Sequence, residues 1–380
     1  MGDKIKLKDA CKILNGFAFK SGKYVDSGIR IIRIANVQKG YVEDENPAFY
    51  SKSEEPSIRD YSLKENDLLL SLTGNVGRVA LLDKKWLPAA LNQRVACLRI
   101  KDNRVIKDYL YFALLSDKFE NDCIKSSNGI AQKNMSTEWL KDYEVPLPSK
   151  QRQQEITSSL KQLSVIIKNK TEQIQQLDEL IKARFVEMFG DGFETTELRN
   201  ICRVTSGGTP STKNSDYYNG TIPWVTTTAL GPNYIDGTKA KAYISEEAVA
   251  NSATKIIPSG NILFGIRVGV GKTSINDVDI CTNQDIVAIL DIDEKKFSKL
   301  FIKHVLDANR AHYDSLKKGA TILGITSDDL KNTPIPLVPI KAQKDFEVFV
   351  TQVDKSKFAV QKSLEKTQLL FDSLMQEYFG

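Results

Sequence analysis

The chain has 380 residues, of which 41% are hydrophobic, and a net charge of +5 at pH 7. This length allows two or more domains, and the apolar share excludes a largely disordered chain. Five dispersed cysteines and only two histidines leave little material for a Cys/His zinc site. The sequence shows no signal core and no membrane-length apolar run, so we expect a cytoplasmic protein with reduced thiols and no membrane contact. The mild basic excess favours a polyanionic partner.

An internal duplication is the most informative feature of the sequence. Four stretches recur in the same order at offsets of 190–194 residues: 7–16 with 198–207, 65–79 with 259–273, 91–100 with 282–291, and 140–156 with 330–346. The last pair is LKDYEVPLPSKQRQQEI and LKNTPIPLVPIKAQKDF. Two copies are too few for a solenoid, so the duplication predicts two similar domains.

Each half begins with about 150 residues of mixed structure. Strand-like runs in the first half are GIRIIRIANV, NDLLLSL and RVACLRI, and one helix is predicted over 106–122. The second half has GTIPWVTTT, GNILFGI and DIVAIL, with a helix over 298–316. We predict an α+β fold with globular α/β domains at 1–150 and 191–340.

A proline-rich hinge ends each globular segment, at Pro146 and Pro148 and at Pro334, Pro336 and Pro339, and a long helix follows at 151–190 and 341–380. Apolar residues at steps of three and four give each helix a coiled-coil seam. The seams include Ile156, Leu160, Leu163, Ile174, Leu177, Phe346, Val350, Val353, Val360 and Leu364. The second helix can pair with the first only by running back, which predicts an antiparallel stalk of roughly 58 Å and a pseudo-twofold arrangement. The alternative is that each amphipathic helix packs only on its own globular domain.

The stretch GVGKT at 269–273 suggests a nucleotide-binding loop, but its spacing is wrong. The first glycine of such a loop would fall at Ile266, and the residues after Thr273 alternate as a strand does. We therefore predict a glycine hairpin that carries a cation, because Gly77-Arg78 occupies the matching place in the first half.

Polar loops in both halves contain residue types that bind phosphates or base edges. They supply the predicted DNA-binding residues Thr73, Asn75, Arg78, Asn92, Gln93, Arg94, Lys133, Lys213, Asn214, Arg267, Lys272, Thr273, Asn283, Gln284, Lys317 and Lys318. No nucleophile elbow, zinc-protease motif or dinucleotide-binding motif occurs, so catalysis by this chain alone has little support.

The segment SGGTPSTKNSDYYNGTIPWV, the Pro-x-Pro hinges followed by QRQQEI, and the two halves with long helices resemble the specificity subunit of type I restriction–modification systems. The resemblance covers essentially the whole chain. It implies two target-recognition domains that each recognise half of a bipartite sequence in double-stranded DNA. It also implies that the seam helices are subunit-interface helices that bind two copies of a DNA adenine methyltransferase subunit.

The same resemblance implies that this chain is not an enzyme and carries no cofactor. S-adenosylmethionine would bind the methyltransferase subunits, and ATP with Mg²⁺ would serve restriction subunits where a system has them. Two alternatives stay open from the residues: a coiled-coil scaffold with duplicated protein-binding domains, and a P-loop ATPase or free-standing methyltransferase. Salt-sensitive, sequence-selective DNA binding separates the first from a specificity subunit, and turnover without partners would identify the second.

Overall fold

The computed structural model describes residues 3–127, 134–190, 192–319 and 323–380. The chain divides into two compact units, Met1–Thr171 with Lys362–Gly380, and Glu172–Gln361. Each unit therefore contains one globular region and about half of each long helix.

The elements that begin in the first globular region are β1 Lys4–Lys6, α1 Leu7–Ala10, β2 Cys11–Asn15, β3 Ile29–Ile32, β4 Phe49–Tyr50, α2 Glu55–Ile58, β5 Leu68–Ser71, β6 Val79–Leu81, β7 Ala89–Leu91, β8 Val95–Ile100, α3 Lys107–Leu115, α4 Asp117–Ser126, α5 Thr137–Asp142, β9 Glu144–Pro146 and the long helix α6 Lys150–Phe189.

The elements that follow are β10 Thr195–Glu197, β11 Arg203–Ser206, β12 Ile222–Val225, β13 Tyr234–Ile235, β14 Ala242–Ile244, α7 Glu246–Ala250, β15 Ile262–Gly265, β16 Thr273–Asn276, β17 Cys281–Thr282, β18 Ile286–Leu290, α8 Lys299–Ala308, α9 Arg310–Leu316, α10 Ser327–Lys331, β19 Pro334–Pro336 and the long helix α11 Ile340–Phe379.

The two units share one sheet topology, which confirms the predicted duplication. The main sheet has the order β2-β8-β5-β6 in the first unit and β11-β18-β15-β16 in the second, where β13 adds an edge strand. The second sheet is β4-β3-β7 or β14-β12-β17, with its last pair parallel. The hinge strand pairs with the first strand of its unit, as β1-β9 and β10-β19.

Alternation of side chains places the main sheet between two cores. In β5, Leu68 and Leu70 belong to the core beneath α3 and α4, while Leu69 faces the core shared with the second sheet. In β15, Ile262 and Phe264 face one core and Leu263 the other. Strands that are buried on both faces read as continuous apolar runs, which is why the sequence predicted them.

The single helix predicted in each globular region is in fact two helices. Ser116 takes an extended conformation between α3 and α4, and its buried Oγ accepts from the N–H of Phe119 at 3.3 Å. Asn309 separates α8 from α9. A serine that caps the next helix stops the preceding one without interrupting the apolar pattern, so periodicity alone did not reveal the break.

The long helices contact each other in antiparallel fashion within each unit, as predicted. In the first unit, Ile156 and Leu160 of α6 share a core with Met375 and Phe379 of α11. Lys170 of α6 donates from Nζ to Ser363 Oγ at 2.8 Å.

In the second unit, Val350 and Val353 of α11 share a core with Ile181 and Phe185 of α6. There Lys357 pairs with Asp178. Globular residues such as Tyr109 and Phe301 complete these two cores, so the seams pack on the domains as well as on each other.

A buried glutamine fixes the start of the first long helix to its globular region. Gln153 is fully buried, and its Oε1 accepts from the N–H of Ile106 at 2.9 Å. Its Nε2 donates to the carbonyls of Arg104 and Pro148, both at 2.9 Å. The side chain therefore satisfies three main-chain groups that lie away from water.

The second unit contains the same arrangement at Gln343. Its Oε1 accepts from the N–H of Ser298 at 2.8 Å. Its Nε2 donates to the carbonyls of Lys296 at 3.0 Å and Val338 at 2.7 Å. The repeated Gln thus has a structural role in the motif that follows each hinge.

The cysteines are free thiols, and four of the five are buried. Burial raises the pKa of Cys11 to about 12 and the pKa of Cys281 to about 11, so both stay protonated at neutral pH. Within the described ranges, no group of His, Cys, Asp or Glu side chains is placed to hold a metal ion. No helix of that part of the chain is long and apolar enough to cross a membrane.

We expect Gln153→Leu to lower the free energy of unfolding by at least about 2 kcal/mol, because it leaves three buried main-chain groups without partners. Gln151→Leu is the matched control, since Gln151 is exposed on the same helical turn and, among the described residues, its side chain makes one bond of 3.3 Å to Glu155. Urea unfolding of both variants measures the difference. Equal stabilities would show that the buried glutamine does not hold the helix in place.

Candidate nucleic-acid interface

Four loops of the first unit meet at one end of its sheets, and we call them the first loop cluster: residues 16–20, 33–38, 72–78 and 92–94. The N–H of Leu72 donates to the carbonyl of Arg94 at 2.9 Å. The N–H of Phe17 donates to the carbonyl of Leu91 at 2.8 Å, and the N–H of Asn92 donates to the carbonyl of Ile32 at 3.1 Å. Main-chain bonds therefore hold these loops side by side.

The second loop cluster comprises residues 207–212, 226–231, 266–272 and 283–285. The N–H of Ile266 donates to the carbonyl of Asp285 at 2.8 Å, and the N–H of Asn283 donates to Val225 at 3.2 Å. The N–H of Gly208 donates to Thr282 at 2.8 Å. These contacts correspond to those of the first cluster, so the duplication extends to the loops.

One glycine in each unit permits the close approach of two loops. A Cβ at Gly16 would lie 2.2 Å from the backbone of Asn92, and a Cβ at Gly207 would lie 2.3 Å from the carbonyl oxygen of Asn283. No other residue type fits at such distances. The matched glycines of the sequence repeat therefore mark the point where the first loop crosses the turn after the parallel strand.

In each unit a fifth segment, which lies in the chain between two helices, also bonds to the loop cluster. The N–H of Met135 donates to the carbonyl of Leu72, and the N–H of Ile325 donates to Ile266 at 2.8 Å. Lys318 and Gly324 exchange main-chain bonds at 2.8 and 3.0 Å. The predicted contact Lys133 lies outside the described residues.

The stretch GVGKT forms a hairpin loop and leads into a strand. Thr273 is the first residue of β16, which pairs antiparallel with β15. A nucleotide-binding loop would open a helix at this point, so the structure confirms the glycine hairpin.

Thr273 is 1% exposed, and its hydroxyl bonds to Asp307. The buried ammonium of Lys303 lies 2.7 Å from the same carboxylate. The threonine therefore anchors the base of the hairpin, and its placement gives no support for a DNA contact.

The first cluster brings together six predicted residues. Asn75 is exposed, and its amide lies about 3.2 Å from the guanidinium of Arg78, which also bonds Gln38. Gln93 and Arg94 are exposed, whereas Asn92 accepts from the N–H of Arg94 at 3.1 Å and shapes the turn.

Thr73 is half-buried, and within the described part of the chain its Oγ1 has no hydrogen-bond partner. That oxygen is also shielded from solvent, so its position alone does not indicate a contact with a ligand.

The second cluster brings Arg267, Lys272, Asn283 and Gln284 together. Arg267 and Gln284 are exposed, Lys272 is half-buried, and Asn283 is 8% exposed. The hydroxyl of Thr209 bonds the Gln284 side chain. Asn283 acts mainly within the turn, as Asn92 does.

Three further predicted lysines lie around this cluster. Lys318 is exposed beside Gly324, and Lys317 pairs with Asp314. Lys213 is exposed on the loop that follows the close-approach glycine, and Asn214 next to it caps a turn by accepting from the N–H of Asp216 at 3.1 Å.

Sequence reasoning missed the loop after the first strand of the second sheet. Arg33 in the first unit and Thr226 and Thr228 in the second occupy this loop, next to Asn92 and Asn283 respectively. Arg33 bonds the carbonyl of Asn46, yet its Nε is buried without a partner among the described residues. The runs IIRIANV and WVTTTAL occupy matching positions of the repeat, which is the signal that could have revealed it.

Comparison with known proteins places the chain in a family. The family model described as "Type I restriction modification DNA specificity domain" matches residues 3–179 and again 190–369. A Methanocaldococcus jannaschii protein named as the specificity subunit of the type I restriction enzyme MjaX is 22% identical, over 95% of this chain and 90% of its own. The Escherichia coli EcoR124I/EcoR124II specificity subunit is 24% identical, over 69% of this chain and 66% of its own.

Two solved structures share the fold. The type I S subunit of M. genitalium superposes with a TM-score of 0.55 at 14% identity, over 100% of this chain and 96% of that one. A chain from a study of type I R-M complex assembly and conformational transition gives 0.57 at 18% identity, over 100% and 97%. Together with the α+β fold and the duplicated loop clusters, the two family matches establish that this chain belongs to the type I restriction–modification DNA specificity family, whose members recognise DNA and leave catalysis to other subunits.

Proposed function

We propose that each globular region recognises one half of a bipartite sequence in double-stranded DNA. On this proposal the long helices set the gap between the half-sites and dock two methyltransferase subunits that modify adenine. The family match and the two loop clusters support it.

The observation that carries the proposal is a shared backbone with different side chains. At matched positions the first cluster has Thr73 and Arg94, whereas the second has Arg267 and Asp285. The supporting main-chain bonds are the same in both clusters. Two loop clusters with the same backbone arrangement and different side chains are suited to the recognition of two different half-sites.

The chemistry of the clusters suits DNA. Arginine and lysine contribute salt-dependent affinity through phosphate contacts, and arginine, asparagine and glutamine bond base edges in the major groove. Arg78 and Arg94 in the first cluster and Lys272 in the second carry such groups at or near the surface. With a net charge of only +5, we expect partner subunits to supply part of the affinity.

The partners would carry the cofactors. S-adenosylmethionine belongs on the methyltransferase subunits, and ATP with Mg²⁺ on restriction subunits where they are present. This chain would determine the DNA sequence at which the complex acts.

Docking of the methyltransferase subunits is supported by apolar side chains that the long helices leave uncovered. The large exposed ones in α6 and α11 are Val165, Ile166, Leu180, Val186, Val348, Phe358, Leu369 and Leu370. Leu180 and Leu370 occupy the same position of the repeat and are 47% and 50% exposed. One such residue in each unit matches two copies of one partner.

The first prediction of the proposed function concerns methylation itself. When this chain is co-expressed with a cognate adenine methyltransferase subunit, mapping of N6-methyladenine should reveal two short defined blocks around an unspecified gap. The pattern should disappear without this chain. Methylation that is indifferent to the chain, in a complex verified as assembled, would favour the scaffold with duplicated protein-binding domains.

The second prediction uses the duplication. Replacement of residues 1–150 by the matching region of another family member should change one block and leave the other unchanged, because each cluster is held within its own unit. Methylation mapping of the exchanged protein measures this. Changes in both blocks would contradict independent recognition.

The third prediction concerns the helix surface. Leu180→Asp and Leu370→Asp should each weaken the binding of one methyltransferase copy, and the double variant should lose both, since a charge in an apolar interface is not paired. Native mass spectrometry of the complexes gives the stoichiometry. Gln175→Asp is the control, because this exposed residue lies about 140° around the helix from Leu180. Full stoichiometry in the double variant would place the docking surface elsewhere.

A further inference from the structure

Arg267 in the second loop cluster is held at its stem. Gly324 packs against it so closely that a Cβ at that position would lie 2.8 Å from Arg267 Cγ. The backbone bond from Ile325 to Ile266 fixes the two segments together. The aliphatic part of the arginine therefore has little freedom.

The head of Arg267 is held by a carboxylate. Its Nε lies 3.2 Å from Asp285 Oδ1, and the other oxygen of Asp285 accepts from Asn283 Nδ2 at 3.0 Å. The Asp285 side chain is 17% exposed and that of Arg267 is 43% exposed. The carboxylate is thus inside the turn and the guanidinium is at its surface.

This arrangement leaves the terminal nitrogens of Arg267 available. Nη2 reaches the carbonyl of Gln284 only at 3.5 Å, and Nη1 has no hydrogen bond within the described residues. With Nε engaged, the guanidinium can still bond a ligand end-on through its two Nη groups. Because its stem and head are fixed in advance, little conformational entropy is lost on binding.

The neighbouring carboxylate also decides which ligand fits. It offsets the positive charge of Arg267, which weakens the attraction to phosphate, and it would repel a phosphate placed beside it. The directional donors remain, and two parallel N–H donors match the O6 and N7 acceptors of guanine. In the first cluster the matched residues are Thr73 and Arg94, so the pair of an arginine with a carboxylate is not repeated at these two positions.

We propose that Arg267 is a specificity-determining residue that recognises a guanine in the second half-site, and that Asp285 is the positioning residue that holds it. This inference rests on the proposed function, because it takes for granted that the second cluster binds DNA.

The test uses the assembled complex with the methyltransferase subunit. Competition binding is measured with duplexes that carry the mapped target and with duplexes substituted at each base pair of the second block. Arg267→Gln and Arg267→Lys should lower the preference for guanine at one position by about tenfold to a hundredfold. The first block should keep its preferences, and the slope of log affinity against log salt should stay unchanged, since a base contact releases no phosphate counterion.

Asp285→Asn tests the positioning role. It keeps the shape of the side chain but removes the charge that holds Nε, so the preference at the same position should fall while Arg267 is still present. Asp285→Glu should restore part of the preference. Arg203→Gln is the matched control, because Arg203 pairs with Asp291 in the same unit but lies outside the loop cluster, and it should leave both blocks unchanged.

Three results would overturn the inference. Uniform weakening across all sequences, with a salt slope reduced by about one, would make Arg267 a phosphate contact. Unchanged preferences in both Arg267 variants would remove it from recognition. A wild-type complex with no sequence preference would overturn the proposed function as well, whereas wild-type selectivity with unaffected variants overturns this inference alone.

Discussion

The contact on which the arrangement of each unit depends is the buried glutamine at the start of each long helix. Gln153 and Gln343 each satisfy three main-chain groups from the hinge and from the segment before the neighbouring helix. A buried amide tolerates little error in direction, because a misplaced bond leaves polar groups unsatisfied away from water. It therefore fixes the angle at which the helix leaves the globular region. Within a unit, the position of the loop cluster relative to the helix follows from that angle.

The loop clusters are built on a different principle from the helix junction. Leu72 with Arg94, Phe17 with Leu91, and the matched contacts of the second unit are bonds between main-chain atoms. The side chains at these positions do not form the bonds that hold the loops together. They can therefore differ between the two units without loss of the loop geometry. This explains why the repeat is clear in the strands and hinges and weak in the polar residues of the loops.

The sequence predicted what periodicity and duplication encode. The strands β3, β5, β8, β12, β15 and β18, the long helices and the glycine hairpin all follow from local patterns. The breaks at Ser116 and Asn309 were missed, because the apolar pattern continues across them. The division into target-recognition domains and spacers, and the DNA-binding residues, stay predictions. Contacts between distant segments decided what pattern could not: Thr273 is buried against Asp307, and Asp285 holds Arg267 although neither pairing has a signal in sequence spacing.

Because main-chain bonds hold the loops, the side chains are free to differ in how they balance affinity for DNA against sequence specificity. A cation that is exposed at the surface with no acidic partner among the described residues, as Arg94 is, attracts phosphate at any sequence and adds to affinity. A cation held by a carboxylate, as Arg267 is, gives up part of that attraction and keeps its direction. If partner subunits supply part of the affinity, as we propose, a chain of modest net charge can accept this loss. The carboxylate beside the arginine is therefore consistent with a subunit whose main task is to discriminate between sequences.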